Sequence, residues 1–123
     1  MKKADASAST SGGPPAPLVE ILYFEDCPNH ANAFALVERV AAELRLKPEI
    51  RRCQINDAVT AERERFLGSP TIRVDGRDVE PGADGRSDYV LACRIYRTEQ
   101  GVQGEPDERW LRKALTMAQR ALP

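Results

Sequence analysis

The chain has 123 residues, 41% of them apolar and 30% charged, with 18 basic side chains against 19 acidic ones. That length and apolar content suit one globular domain with a single core. A formal net charge of −1 gives no electrostatic drive toward nucleic acid or an anionic membrane, and no run of about 18 apolar residues offers a membrane span.

Met1 to Pro17 is small, polar and rich in Pro and Gly, closing on Gly12-Gly13-Pro14-Pro15-Ala16-Pro17. Such a composition does not offset the entropy of ordering, so residues 1–17 are expected to be a disordered tail and 18–123 the folded domain. The tail carries lysines but no apolar signal-peptide core, which makes a reducing cytoplasm the default compartment.

Leu18 to Phe24 is a run of apolar β-formers and is expected to be the first strand. After Cys27-Pro28-Asn29-His30, the residues Phe34, Val37, Ala41 and Leu44 recur at helical spacing, predicting a helix over 28–46 with Pro28 at its first position and Pro48 as its stop. A thiol at a helix N-terminus meets unpaired N–H groups and the positive end of the dipole, which favour thiolate over thiol. Cys27 is therefore expected to be partly exposed and reactive, with Glu25 and Asp26 opposing its ionisation. His30 lies three residues on, where it is placed to hydrogen-bond the sulfur, pair with a thiolate or share a metal.

Ile50 to Ile55 reads as a second strand on which Cys53 alternates with Ile55, as a packed core cysteine would. Asn56-Asp57 offers a cap for a short helix over 58–67, closed by Gly68. Thr71-Ile72-Arg73-Val74 and residues 77–80 flank Asp75-Gly76, a strong tight-hairpin signal. Residues 82–106 read as a loop-rich insertion in which Val90 to Tyr96 has strand character. Arg94 and Arg97 are expected on a solvated face there, the competing reading being an anion site. Asp107 caps a last helix carrying Leu111, Leu115, Ala118 and Leu122 at helical spacing.

The order β-α-β-α-β-β-insertion-α, with Cys27-Pro28-Asn29-His30 opening the first helix and Ser69-Pro70-Thr71 opening the third strand, resembles the thioredoxin-like superfamily in its glutaredoxin-like form. The resemblance covers about residues 18–81 and the last helix. It implies an α/β fold with a four-stranded mixed central sheet, Cys27 as nucleophile, and a cis peptide bond before Pro70 facing it. It also implies that the Ser69 backbone hydrogen-bonds a peptide or thiol ligand. The chain is loosely similar, too, to small bacterial thioredoxin-like proteins sometimes labelled alkylmercury lyase, in which Cys27, Cys93 and Asp26 would handle mercury.

His30 stands where a dithiol member of the family has its second cysteine. A mixed disulfide at Cys27 must then be resolved by Cys93, by Cys53 as second choice, or by an external thiol such as glutathione. The third strand must start beside Cys27 and run away, and its hairpin partner must return. The insertion thus begins near the site and is placed to carry Cys93 to Cys27, provided their Cα atoms come within about 7 Å. The leading expectation is a thiol-dependent oxidoreductase using Cys27, His30, Pro70 and Cys93 on protein or small-molecule thiols and disulfides, with no resident cofactor. One alternative is a soft-metal binder of mercury, zinc or copper type using Cys27, His30 and Cys93. The other is a catalytically inactive interaction module, motivated by the missing vicinal cysteine. No self-association motif is readable, so the oligomeric state stays open.

Overall fold

The computed structural model describes residues 16–121, so all but the last two residues of the tail expected over 1–17, and the last core position expected in the closing helix, Leu122, lie outside the described residues. β1 (Leu18–Tyr23) is the central strand, and its alternation decides the layering. Val19 and Ile21 face one side and join Ile72 and Val74, whereas Leu22 faces the other with Ile55 and Phe66. A strand apolar on both faces has to be covered twice.

The first cover comes from α1 (His30–Glu43), which buries Ala33, Val37, Val40 and Ala41, together with α3 (Glu108–Ala121), which buries Leu111 and Leu115. The second comes from the short α2 (Ala58–Arg63), through Ala61 and the following Phe66. Among the described residues the result is a mixed α/β fold whose four-stranded sheet has the order β2-β1-β3-β4, with β2 at Glu49–Gln54, β3 at Thr71–Val74 and β4 at Arg77–Asp78. β2 is parallel to β1, and β3 runs antiparallel to both β1 and β4. Pairing starts slightly earlier than expected, since the Pro17 carbonyl accepts from Glu49 N–H at 2.9 Å.

Several boundaries differ from the sequence reading, each for a local reason. α1 spans 30–43, not 28–46: Pro28 lies in a turn before it, and Arg45, at φ 59°, closes it before Pro48 is reached. α2 ends at Arg63 with Arg65 left-handed at φ 57°, and Arg73 Nη2 donates to the carbonyls of Glu64 and Arg65 there. Gly68 therefore does not close the helix. The Asp75-Gly76 turn forms as expected, with φ of 50° and 86°, but β4 is two residues long because the chain turns away after Asp78.

Within the insertion, a 3₁₀ turn at Ala83–Gly85 precedes an extended strap over residues 90–95, and then a hairpin of β5 (Tyr96–Thr98) and β6 (Gly101–Gln103). The hairpin was not foreseen. Asp107 caps α3 as expected, its carboxylate accepting from Arg109 N–H at 2.8 Å. Trp110 packs on the main core and tilts against Tyr96, with ring centroids 6.2 Å apart. No helix among the described residues is long and apolar enough to cross a membrane.

Candidate functional site

The β1–β3 register pairs Leu22 with Thr71, so the chain leaving β1 and the chain entering β3 meet at one end of the sheet. Leaving β1, the turn through Phe24 is held by Cys27 N–H donating to the Phe24 carbonyl at 3.0 Å. On the opposite side, the Ser69 hydroxyl accepts from Phe24 N–H at 3.3 Å, and the Ser69–Pro70 peptide bond is cis. Cys27 and Pro70 thus stand at the same end of the fold.

The insertion supplies the third component. Ser69 N–H donates to the Ala92 carbonyl, and Arg94 N–H donates to the Ser69 carbonyl, both at 2.8 Å. These two bonds form a parallel bridge between Ser69 and Cys93. Val90 N–H adds a third bond, to the Phe66 carbonyl at 2.9 Å. The strap consequently lies along the segment leading into the cis-proline.

Gly68 is what lets it lie so close. A side chain there would come within about 3 Å of Arg94 Cβ and the Ala92 carbonyl oxygen, and φ at Gly68 is +117°, a conformation that suits glycine. Gly104 plays a comparable part beside α1, where an added Cβ would collide with the Asn29 side-chain amide.

Arg94 pins the strap from beneath. Its guanidinium makes a bidentate pair with Asp78 at 2.7 and 3.1 Å, bonds Glu80 at 2.6 Å and reaches the Thr71 hydroxyl at 3.0 Å. The side chain is only 1% exposed, so the expected solvated face is wrong for Arg94. Asp78 and Glu80 neutralise it, which removes it from the anion-binding reading as well; Arg97 is exposed. The Arg94 guanidinium also lies over the Tyr96 ring, 4.4 Å from its centroid. Tyr96 is fully buried and donates its hydroxyl hydrogen bond to the Pro70 carbonyl. Burial pushes its phenol far above the ordinary range, so it remains a donor at any working pH.

The two thiols of interest meet under this clamp. Cys93 is held above its ordinary pKa by desolvation of its sulfur, then by the charge of Cys27 and a hydrogen bond to the Cys27 side chain. Cys93 is exposed, whereas Cys27 is only 2% exposed. The expectation of a partly open Cys27 is thereby overturned: its side chain is buried at the end of the sheet to which the strap also brings Cys93. Cys27 also lies outside the first helical turn, since α1 begins at His30 behind Asn29. A dipole effect that fades within one turn contributes correspondingly less there.

His30 stacks on Tyr23, with ring centroids 4.6 Å apart and an interplanar angle of 23°. Among the described residues, no three His, Cys, Asp or Glu side chains gather in a metal-sized cluster. Cys53 is half-buried against the Leu22–Phe66 cluster, and burial raises its thiol pKa, as suits a packing cysteine. All three thiols are free.

Sequence reasoning missed Arg94, Tyr96 and Gly68 as parts of the site. The available signal was an acidic pair, Asp78 and Glu80, on either side of Val79 at the end of the hairpin strand. No family model, no curated protein and no solved structure matches the chain.

Proposed function

We propose that the chain is a thioredoxin-like thiol–disulfide oxidoreductase whose redox pair is Cys27 and Cys93, two cysteines far apart in sequence. The observation that carries this reading is the strap, whose hydrogen bonds to both sides of the Ser69 peptide bring Cys93 to the end of the sheet that carries Cys27. The β2-β1-β3-β4 order and the cis Ser69–Pro70 bond beside Cys27 agree with the family resemblance.

In this reading the two thiols are oxidised to a Cys27–Cys93 disulfide while an external disulfide takes up two electrons and two protons and leaves as two thiols. An external thiol such as glutathione returns the pair to the reduced state. Pro70 and Ser69 frame the pair, and Arg94 and Tyr96 position the strap. His30 orders the turn through its stack on Tyr23. A cytoplasmic location suits a pair that cycles instead of remaining oxidised.

The test is turnover of a small disulfide with glutathione as reductant. Cys93→Ser and Cys27→Ser are each expected to lower it sharply, the second because a mixed disulfide on Cys93 then waits on external glutathione, whereas Cys53→Ser is expected to retain it. Full turnover in Cys27→Ser would refute the reading.

A further inference from the structure

Thiol–disulfide exchange requires the attacking sulfur to approach the target sulfur in line with the bond being broken, so access decides which thiol reacts first. Cys27 is 2% exposed, and the strap brings Cys93 to the same end of the sheet. The N–H and carbonyl of Ser69, at the same end of the sheet as Cys27, are already bonded to Ala92 and Arg94, so neither is free to pair with a visiting chain. The strap is not a loose cover, because a buried guanidinium with two carboxylate partners anchors it at Arg94. Cys93, in contrast, is exposed.

We infer that the reaction order is the reverse of the one the Cys27-Pro28-Asn29-His30 motif implies: Cys93 exchanges with external disulfides, and buried Cys27 resolves the intermediate. This assignment rests on the proposed Cys27–Cys93 pair. In the first step the Cys93 sulfur attacks one sulfur of an external disulfide, R–S–S–R. A Cys93–S–S–R bond forms, the external S–S bond breaks, and one RS⁻ leaves. The Cys93 proton ends on the departing thiolate, which leaves as RSH. In the second step Cys27 gives up its proton to water as its sulfur attacks the Cys93 sulfur, forming Cys27–S–S–Cys93 and releasing the second RS⁻, which takes a proton back from water and leaves as RSH. Two protein thiols are oxidised and one external disulfide is reduced to two thiols.

Cys27 is well suited to the second step alone. A buried sulfur against the mixed disulfide attacks it intramolecularly, and its burial excludes competing external thiols. The exposed Val90, Leu91 and Ile95 flank Cys93 and give the entering disulfide an apolar approach.

The test uses the full chain with oxidised glutathione, read by intact mass and by peptide mapping of each cysteine. Cys27→Ser is expected to accumulate one glutathionyl group on Cys93, and Cys93→Ser to be modified at Cys27 at least about tenfold more slowly. Glutathionylation of Cys27 in Cys93→Ser as fast as that of Cys93 in Cys27→Ser overturns the reversed order. The unmutated chain separates this failure from that of the pair itself. If it stops at a Cys93–glutathione adduct, the redox pair fails; if it closes to an internal disulfide while the variants react fastest at Cys27, only the order fails.

Discussion

Ser69 and Cys93 are joined backbone to backbone, with Ser69 N–H on the Ala92 carbonyl and Arg94 N–H on the Ser69 carbonyl. A residue next to the cis-proline is thereby tied to a thiol that the sequence places in a distant insertion. The chemistry proposed for the site depends on this tie.

Arg94 holds the strap through Asp78, Glu80 and Thr71. Arg94→Ala leaves the nearly buried Asp78 carboxylate without its partner, and the expected loss of unfolding free energy is about 3–5 kcal/mol. Arg94→Lys keeps the charge but loses the bidentate fork, so an intermediate loss is expected. Urea unfolding of both variants checks the order; an Arg94→Ala variant as stable as the parent contradicts the anchoring role.

Gly68→Ala puts a Cβ about 3 Å from Arg94 Cβ and the Ala92 oxygen at a φ of +117°. The strained backbone alone is expected to cost about 1–3 kcal/mol, and the strap must shift as well. Faster alkylation of Cys27 in Gly68→Ala than in the parent is the expected sign of that shift. Unchanged protection of Cys27 would show that the strap tolerates the added carbon.

Much of this fold was legible in the chain, and the site only in part. Strand β1, helix α1, the Asp75-Gly76 hairpin and the Asp107 cap are local matters of periodicity, turn chemistry and capping, and each forms close to where the sequence places it. Arg94 was misread because Arg94-Ile95-Tyr96-Arg97 looks like a solvated strand, while its partners Asp78 and Glu80 lie in another element. Cys27 was expected to be partly exposed because nothing in its local sequence signals its burial, and the insertion comes to this end of the sheet only on folding. The β5–β6 hairpin escaped because Glu99-Gln100 is not a strong turn pair, leaving Gly101, at φ 106°, as its one local signal.

The Cys93 thiol is held up by desolvation, by the charge of Cys27 and by the hydrogen bond between them. Removing the last two in Cys27→Ser lowers the pKa of Cys93, so its alkylation should rise at a lower pH than in the parent. Iodoacetamide rates against pH, followed by peptide mapping, provide the check. A Cys93 profile that does not move contradicts contact between the two sulfurs.

Glu108 ties α3 to α1. Hydrogen bonds from Arg39 and then Arg112 pull its carboxyl down to about 2, from an ordinary 4.5. A folded-state pKa below the unfolded one gives stability that is present above about 4.5 and lost as pH falls toward 2. The side chain is 37% exposed, so solvent screening limits the effect to about 1 kcal/mol or less. Glu108→Gln is expected to lose less stability than the parent between about pH 5 and about pH 3. Equal acid sensitivity in urea titrations would remove this link.

The contact between the Cys27 and Cys93 sulfurs is the central claim, and mild oxidation of the native chain with diamide followed by disulfide mapping tests it most directly. The account predicts a Cys27–Cys93 linkage with Cys53 left as a free thiol. Recovery of Cys27 as a free thiol, or linked to Cys53, would contradict it.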